Sequence, residues 1–163
     1  MKQARLLQYL LAFALFLVAI PSHAQTTTQV NALPFTCVDQ TSFYCYNAPV
    51  TATINGQSVS GTMTLDIFHM SYGYVLFVIP GAGVYAEITA VQVISMNSLG
   101  QVTEMKVGFT SQADPDNDGD SDTVSGSVDL SIKWTAYSSG GGRGSHNVIW
   151  RPTISGPGSY TSN

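Results

Sequence analysis

Nine consecutive residues carry the densest run of chemical groups in the chain: Asp114-Pro115-Asp116-Asn117-Asp118-Gly119-Asp120-Ser121-Asp122. Five carboxylates alternate through them. Held in a tight turn, such a cluster repels itself unless a cation neutralises it. Calcium suits that task, because it takes six to eight oxygen ligands at flexible geometry. Gly119 supplies the backbone freedom for a sharp turn. The competing reading is a solvated acidic linker between two strands, kept soluble by its charge.

The Asp-x-Asp-x-Asp-Gly run from Asp114 to Gly119 resembles the opening of EF-hand loops. It departs from them at the twelfth position, where Ser125 stands in place of a bidentate Glu. The whole stretch is more similar to Asp-x-Asp-x-Asp-Gly-x-x-Asp hairpin loops, such as those of integrin-type propeller blades. That resemblance covers residues 114–122 only. It implies a structural calcium ion, with side-chain oxygens from Asp114, Asp116, Asp118 and Asp122 and a backbone carbonyl from Asp120.

The other reactive side chains form no catalytic constellation. Asp66 and His69 are an odd number of residues apart, which puts them on opposite faces of a strand. His146 follows Ser145 directly, and no nucleophile elbow is present. His69 and His146, the two histidines beyond residue 24, make a poor zinc site without a free Cys. With Ser98-Leu99 as a turn centre, Glu104 falls opposite Val93. Glu87 is then roughly 20 Å away, beyond the roughly 5–9.5 Å of a glycosidase pair. The Gly140-Gly141-Gly142-Arg143-Gly144 run lacks the Lys-Ser/Thr ending of a phosphate loop and reads as a flexible hairpin tip. Tyrosines near turns, such as Tyr72 and Tyr85, stack on sugar rings, line a barrel mouth, or cap the core edge with the hydroxyl in water.

The N-terminus sets the compartment. Lys2 and Arg5 precede an apolar run from Leu6 to Ile20, and Pro21-Ser22-His23-Ala24 ends it. This is the order of a cleaved signal peptide, and the run is short for a membrane span. The chain is therefore expected to be secreted or periplasmic, starting near Gln25. Removing Lys2 and Arg5 leaves four basic against ten acidic residues, a net of −6. That balance argues against a nucleic-acid partner. In an oxidising compartment, Cys37 and Cys45 are most simply a disulfide.

The elements that must position these groups are strands. Val50, Ala52 and Ile54 alternate with Thr51 and Thr53, and Asn55-Gly56 follows as a hairpin signal. Met63, Leu65 and Ile67; Met105, Val107 and Phe109; and Val128, Leu130, Ile132 and Trp134 show the same period of two. Tyr74–Ile79 is apolar on both faces, as expected of a strand covered on each side. The run from Val84 to Ser95 switches parity around Thr89–Ala90, which suggests a bulge or a second covered face.

The expected fold is all-β: an antiparallel meander of seven or eight strands, as a small barrel or sandwich. Its expected divisions are a signal peptide (1–24), a flexible lead-in (25–32), one β domain (33–155) and a flexible tail (156–163). The function expected first is a non-enzymatic binding or surface-associated module whose ligand is a carbohydrate or an apolar small molecule. A lipocalin-like carrier of an apolar ligand and a small outer-membrane barrel are the alternatives. Membrane insertion is disfavoured by the absence of a regular aromatic belt, and an enzyme ranks last.

A weak extracellular calcium site, with a dissociation constant on the order of 10⁻⁴–10⁻³ M, adds about 0.4–1.4 kcal/mol at millimolar calcium. A thermal melt in calcium is expected to lie above one in EDTA. Superimposable curves would remove the ion and leave the acidic linker.

Overall fold

A computed structural model of the chain describes residues 26–38, 43–113, 122–139 and 147–162. Residues 1–25, which include the expected signal peptide, Asp114, Asp116, Asp118, Asp120, the glycine-rich run 140–144 and His146 lie outside the described residues. Eight strands follow one another: β1 (Thr26–Thr36), β2 (Phe43–Ile54), β3 (Gln57–Phe68), β4 (Tyr72–Val78), β5 (Val84–Met96), β6 (Val102–Ala113), β7 (Asp122–Ser139) and β8 (Asn147–Ser162). Each pairs antiparallel with the next, and β8 returns to β1, so the sheet is a closed barrel. Of the two expected architectures, the barrel is the one formed.

Ring closure corrects the expected boundaries. Residues 25–32 were expected to be a flexible lead-in and 156–163 a flexible tail. Instead Thr26 pairs with Ser162, Thr28 with Tyr160 and Val30 with Gly158. Thr28, Val30 and Ala32 point inward and are buried, while Thr27, Gln29 and Asn31 face outward. A polar run with small inward residues reads as a loop until its partner strand is known. Its partner lies at the far end of the chain.

The up-and-down order defines two ends. The terminal end carries Thr26, Ser162 and the β2–β3 and β4–β5 turns, and the β6–β7 connection joins Ala113 to Asp122 there. The distal end carries the disulfide connection and the β3–β4, β5–β6 and β7–β8 links. Turn chemistry follows the sequence at both. Asn55 (φ 50°) and Gly56 (φ 75°) form the mirror-type hairpin turn. Pro80 precedes Gly81 (φ 75°) in a turn closed by the Ala82 amide donating to the Ile79 carbonyl at 3.0 Å.

An eight-stranded ring leaves an interior just wide enough for side chains. Val50, Met63, Leu65, Ile67, Val75, Val107 and Ile154 fill it. Near the terminal end Phe77, Phe109 and Tyr160, from three alternate strands, form an aromatic layer. The Phe77 ring centroid lies 5.8 Å from Phe109 and 5.6 Å from Tyr160. Gly126 makes room for the layer: a Cβ there would meet Phe109 Cζ at 2.8 Å. The Tyr160 hydroxyl donates to the Ala82 carbonyl at 2.6 Å, spanning the lumen from β8 to the opposite β4–β5 turn. At the distal end Phe43 and Trp134 meet edge to face at 5.8 Å, and Trp134 Nε1 donates to the Val102 carbonyl at 2.7 Å.

Cys37 and Cys45 form the expected disulfide. The β1–β2 ladder holds only from Gln29↔Thr53 to Ala32↔Val50, because Pro34 has no amide proton to offer it. The disulfide and the Val38 amide, donating to the Tyr44 carbonyl at 3.2 Å, join the two strands beyond that point. Closing so short a loop stabilises by about 2.5 kcal/mol in the chain-entropy account.

Burial raises the Tyr160 hydroxyl pKa above 10.0, with a hydrogen bond from Thr28 opposing. Tyr160→Phe leaves the Ala82 carbonyl without this donor and is expected to cost about 1–2 kcal/mol near neutral pH. In the wild type the unfolded chain ionises first as pH rises above about 10, so the contribution of Tyr160 is present below that pH and lost above it. Denaturant melts of the two proteins are therefore expected to converge on alkaline titration. A gap constant in pH would contradict this role.

Candidate functional site

The outer surface of the barrel is mostly Thr, Ser, Asn and Gln, with a cross-strand Lys106–Asp129 ion pair at 3.2 Å. One face differs. Across β2, β3, β4 and β5 the outward positions carry Tyr44 and Tyr46, Thr64 and Asp66, Tyr74 and Leu76, and Tyr85 and Glu87. Register assembles them, since Tyr44 pairs with Asp66, Asp66 with Tyr74 and Tyr74 with Glu87. One row across the sheet thus reads Tyr, Asp, Tyr, Glu. Adjacent strands are about 4.8 Å apart, so the two acidic positions are about 10 Å from each other with Tyr74 between them.

A β-bulge sets the first member of this row. Tyr46 and Asn47 both oppose Thr64, between the Cys45↔Leu65 and Ala48↔Met63 rungs. Asn47 adopts φ 54°, and its amide donates to Thr64 Oγ1 at 3.2 Å. The extra residue returns Ala48 and Val50 to the interior while Tyr44 and Tyr46 stay outside, stacked at 6.3 Å. On the other flank Tyr74 and Tyr85 meet at 5.6 Å. Phe68 and Tyr72 stack at 5.7 Å near the distal end.

Asp66 is the buried carboxylate of this face, 7% exposed although it points away from the core. The surrounding rings cover it. Burial, and then the negative charge of Asp66, raise the Tyr74 hydroxyl pKa. Tyr74 therefore stays protonated and able to donate.

Two open depressions flank Glu87. One, of about 420 Å³, is lined by Tyr85, Glu87, Thr110, Ser111 and Thr123. The other, of about 340 Å³, is lined by Phe68, Tyr72, Gly73, Tyr74, Tyr85, Glu87 and Ile88. Together they offer flat ring faces, hydroxyls and a carboxylate on one continuous surface.

Several sequence expectations resolve here. Tyr72 and Tyr85 stand on the outer wall, each 56% exposed, rather than in a barrel mouth. The doubly apolar β4 is core on one side only, with Val75 and Phe77 inward. Its other side is half covered by neighbouring tyrosine rings, not by a second layer. The β5 parity switch is a bulge at Thr89, between the Ile88↔Phe109 and Ala90↔Gly108 rungs. Further bulges change the expected Glu104 register: it pairs with Ser95, not Val93. Glu87 is eight residues from Ser95, roughly 27 Å along the strand, so the glycosidase pair remains excluded.

Of the five acidic-loop positions only Asp122 is described, and its backbone pairs with Ala113. Strands thus flank the stretch on both sides. Sequence reasoning missed Asp66 as a site residue. The available signal was a carboxylate at the outward parity of β3, flanked in sequence by two Tyr-rich segments.

No family model matches the chain, and no curated protein or solved structure is detectably similar to it. Fold and site define an eight-stranded up-and-down barrel with a side-chain-filled interior and an aromatic outer face.

Asp66→Asn removes the charge but keeps the shape. It is expected to lower the Tyr74 pKa part of the way toward 10.0, read by carbon NMR of the tyrosine ring. An unchanged Tyr74 titration would separate the two residues.

Proposed function

We propose that this chain is an exported, non-enzymatic binding module that holds a neutral carbohydrate on the outer face formed by β2–β5. The observation that carries this reading is the row Tyr44, Asp66, Tyr74, Glu87, flanked by Tyr46 and Tyr85. Sugars present flat faces of C–H groups that pack on aromatic rings, edged by hydroxyls that need acceptors. A tyrosine supplies an apolar ring and a polar tip at low conformational cost. Glu87, Thr110 and Thr123 lie within the same depression to accept and donate around the ring edge.

Export is supported by the N-terminal charge and apolar pattern and by the buried disulfide, a bond that persists in oxidising compartments. Among the described residues, no helix is long and apolar enough to cross a membrane. The outward Thr, Ser, Asp and Lys side chains of β1, β6 and β7 favour water over lipid, which weighs against an outer-membrane barrel. The aromatic layer and the Tyr160–Ala82 bond occupy the lumen a lipocalin-like carrier would need. In the same reading, calcium bound by Asp114, Asp116, Asp118, Asp120 and Asp122 steadies the β6–β7 connection. That connection lies at the terminal end, away from the Phe68–Tyr72 side of the face.

Retention on a panel of immobilised neutral polysaccharides is the direct assay. Tyr74→Ala and Tyr46→Ala are each expected to weaken binding by about tenfold while leaving the far-UV spectrum unchanged. No retention on any member of the panel, or retention indifferent to both substitutions, would sink the reading.

A further inference from the structure

Charge is unevenly shared around the ring. From β1 to the β5–β6 turn, the described residues 26–38 and 43–101 contain two carboxylates, Asp66 and Glu87, and no Lys or Arg. Both carboxylates stand in the aromatic face. The described basic side chains, Lys106, Lys133 and Arg151, all belong to β6, β7 and β8. Lys106 is about 14 Å along β6 from Thr110, the partner of Glu87. Its ammonium is engaged by Asp129 at 3.2 Å, and the Arg151 guanidinium lies over the Tyr137 ring at 5.2 Å. Among the described residues, the aromatic face thus carries negative charge and no Lys or Arg.

At its distal corner the wall opens. The β4–β5 ladder ends at Tyr74↔Glu87, because β4 begins at Tyr72 while β5 runs on to Met96. The resulting notch, of about 340 Å³, is lined by Phe68, Tyr72, Tyr74 and Tyr85, with Glu87 and Ile88. Its rings come as two pairs, Phe68 with Tyr72 at 5.7 Å and Tyr74 with Tyr85 at 5.6 Å. Gly73 lets β4 run close to β3 between them, since a Cβ there would collide with the Asp66 carbonyl oxygen. Asp66 itself lies one row behind, paired with Tyr74.

We infer that this notch takes a small free organic cation, a quaternary ammonium about the size of choline, with its alkyl groups against the four rings and its charge beside Glu87. Ring faces attract a cation through their quadrupole, and an alkylated ammonium also buries C–H surface on them. A hard metal ion is poorly served, because calcium needs six to eight oxygen ligands and one carboxylate lines the notch. A neutral guest would use the rings and leave the carboxylates unanswered. The volume lies at the low end of the roughly 300–1,000 Å³ of small-molecule sites, which suits a ligand of this size. Tyr74 already feels the negative field: burial, and then Asp66, raise its hydroxyl pKa. The notch shares Tyr74, Tyr85 and Glu87 with the carbohydrate face and goes beyond that reading in selecting for charge.

Titration of the purified chain with choline chloride, followed on the tyrosine ring resonances by NMR, tests the inference. Saturable shifts are expected with a Kd on the order of 1–10 mM, the strength of a few partly exposed ring contacts. The uncharged carbon isostere 3,3-dimethylbutan-1-ol is expected to bind about tenfold more weakly or worse. Tyr72→Leu and Glu87→Gln are each expected to raise the choline Kd by about threefold or more. Tyr72 is exposed and Glu87→Gln keeps the side-chain shape, so neither change is expected to disturb the barrel. Equal binding of choline and its isostere would leave a merely apolar notch and overturn the inference. So would choline binding indifferent to both substitutions. The absence of saturable shifts up to about 50 mM choline also overturns it, even if phosphatidylcholine vesicles capture the chain. Tyr46→Ala is expected to weaken polysaccharide retention and leave the choline Kd unchanged, which separates failure of this inference from failure of the carbohydrate reading.

Discussion

Every strand of an eight-stranded ring turns one face into a lumen that side chains alone can fill, and the rest of this structure follows from that constraint. Alternate residues must be apolar and sized to their layer. Phe77, Phe109 and Tyr160 meet in one such layer only because Gly126 leaves space for them. Tyr160 then does two things at once: its ring fills the layer, and its hydroxyl satisfies a carbonyl on the opposite side. With the interior committed to packing, any ligand must be met on the outside.

That outside is shaped by departures from regular pairing. The bulge at Tyr46–Asn47 keeps two tyrosines outward while the strand's next residues return to the core. The short β4 ends the wall early and opens the notch beside Phe68 and Tyr72. The turn above it runs through His69 (φ 50°) and Met70 (φ 55°), two non-glycine residues in the left-handed region. Such conformations cost on the order of 1 kcal/mol each and persist only where the surroundings hold them. Met70 is held by packing against the core. His69 lies 6.3 Å from Tyr72. Three of the four non-glycine residues in the left-handed region among the described residues, Asn47, His69 and Met70, thus border the aromatic face.

Much of the fold was legible because it rests on local alternation. Met63, Leu65 and Ile67, and Met105, Val107 and Phe109, announce their inward faces without knowledge of a partner. The Asn55-Gly56 turn, the Thr89 bulge and the Cys37–Cys45 bond were equally local. Closure was not, because Thr26–Asn31 becomes a strand only by pairing with residues near Ser162. The face was hidden for the same reason. Asp66 is unremarkable in its own segment, and its burial depends on Tyr44 and Tyr74, which reach it through registers that bulges shift. Where local parity and long-range register must both be known, a single sequence supplies the first alone.

The rungs between β1 and β8 join residues separated by nearly the whole described chain, whereas every other ladder is a hairpin. Seven of the eight seams can zip as soon as their two strands exist, and the eighth must wait for Asn147–Ser162. Loop-closure entropy over such a separation makes this the slow step of folding. A chain delivered N-terminus first therefore passes through an open, curled sheet with β1 exposed along one edge. The polar outward residues Thr27, Gln29 and Asn31, unremarkable in the finished ring, are what keep that waiting edge soluble until its partner arrives.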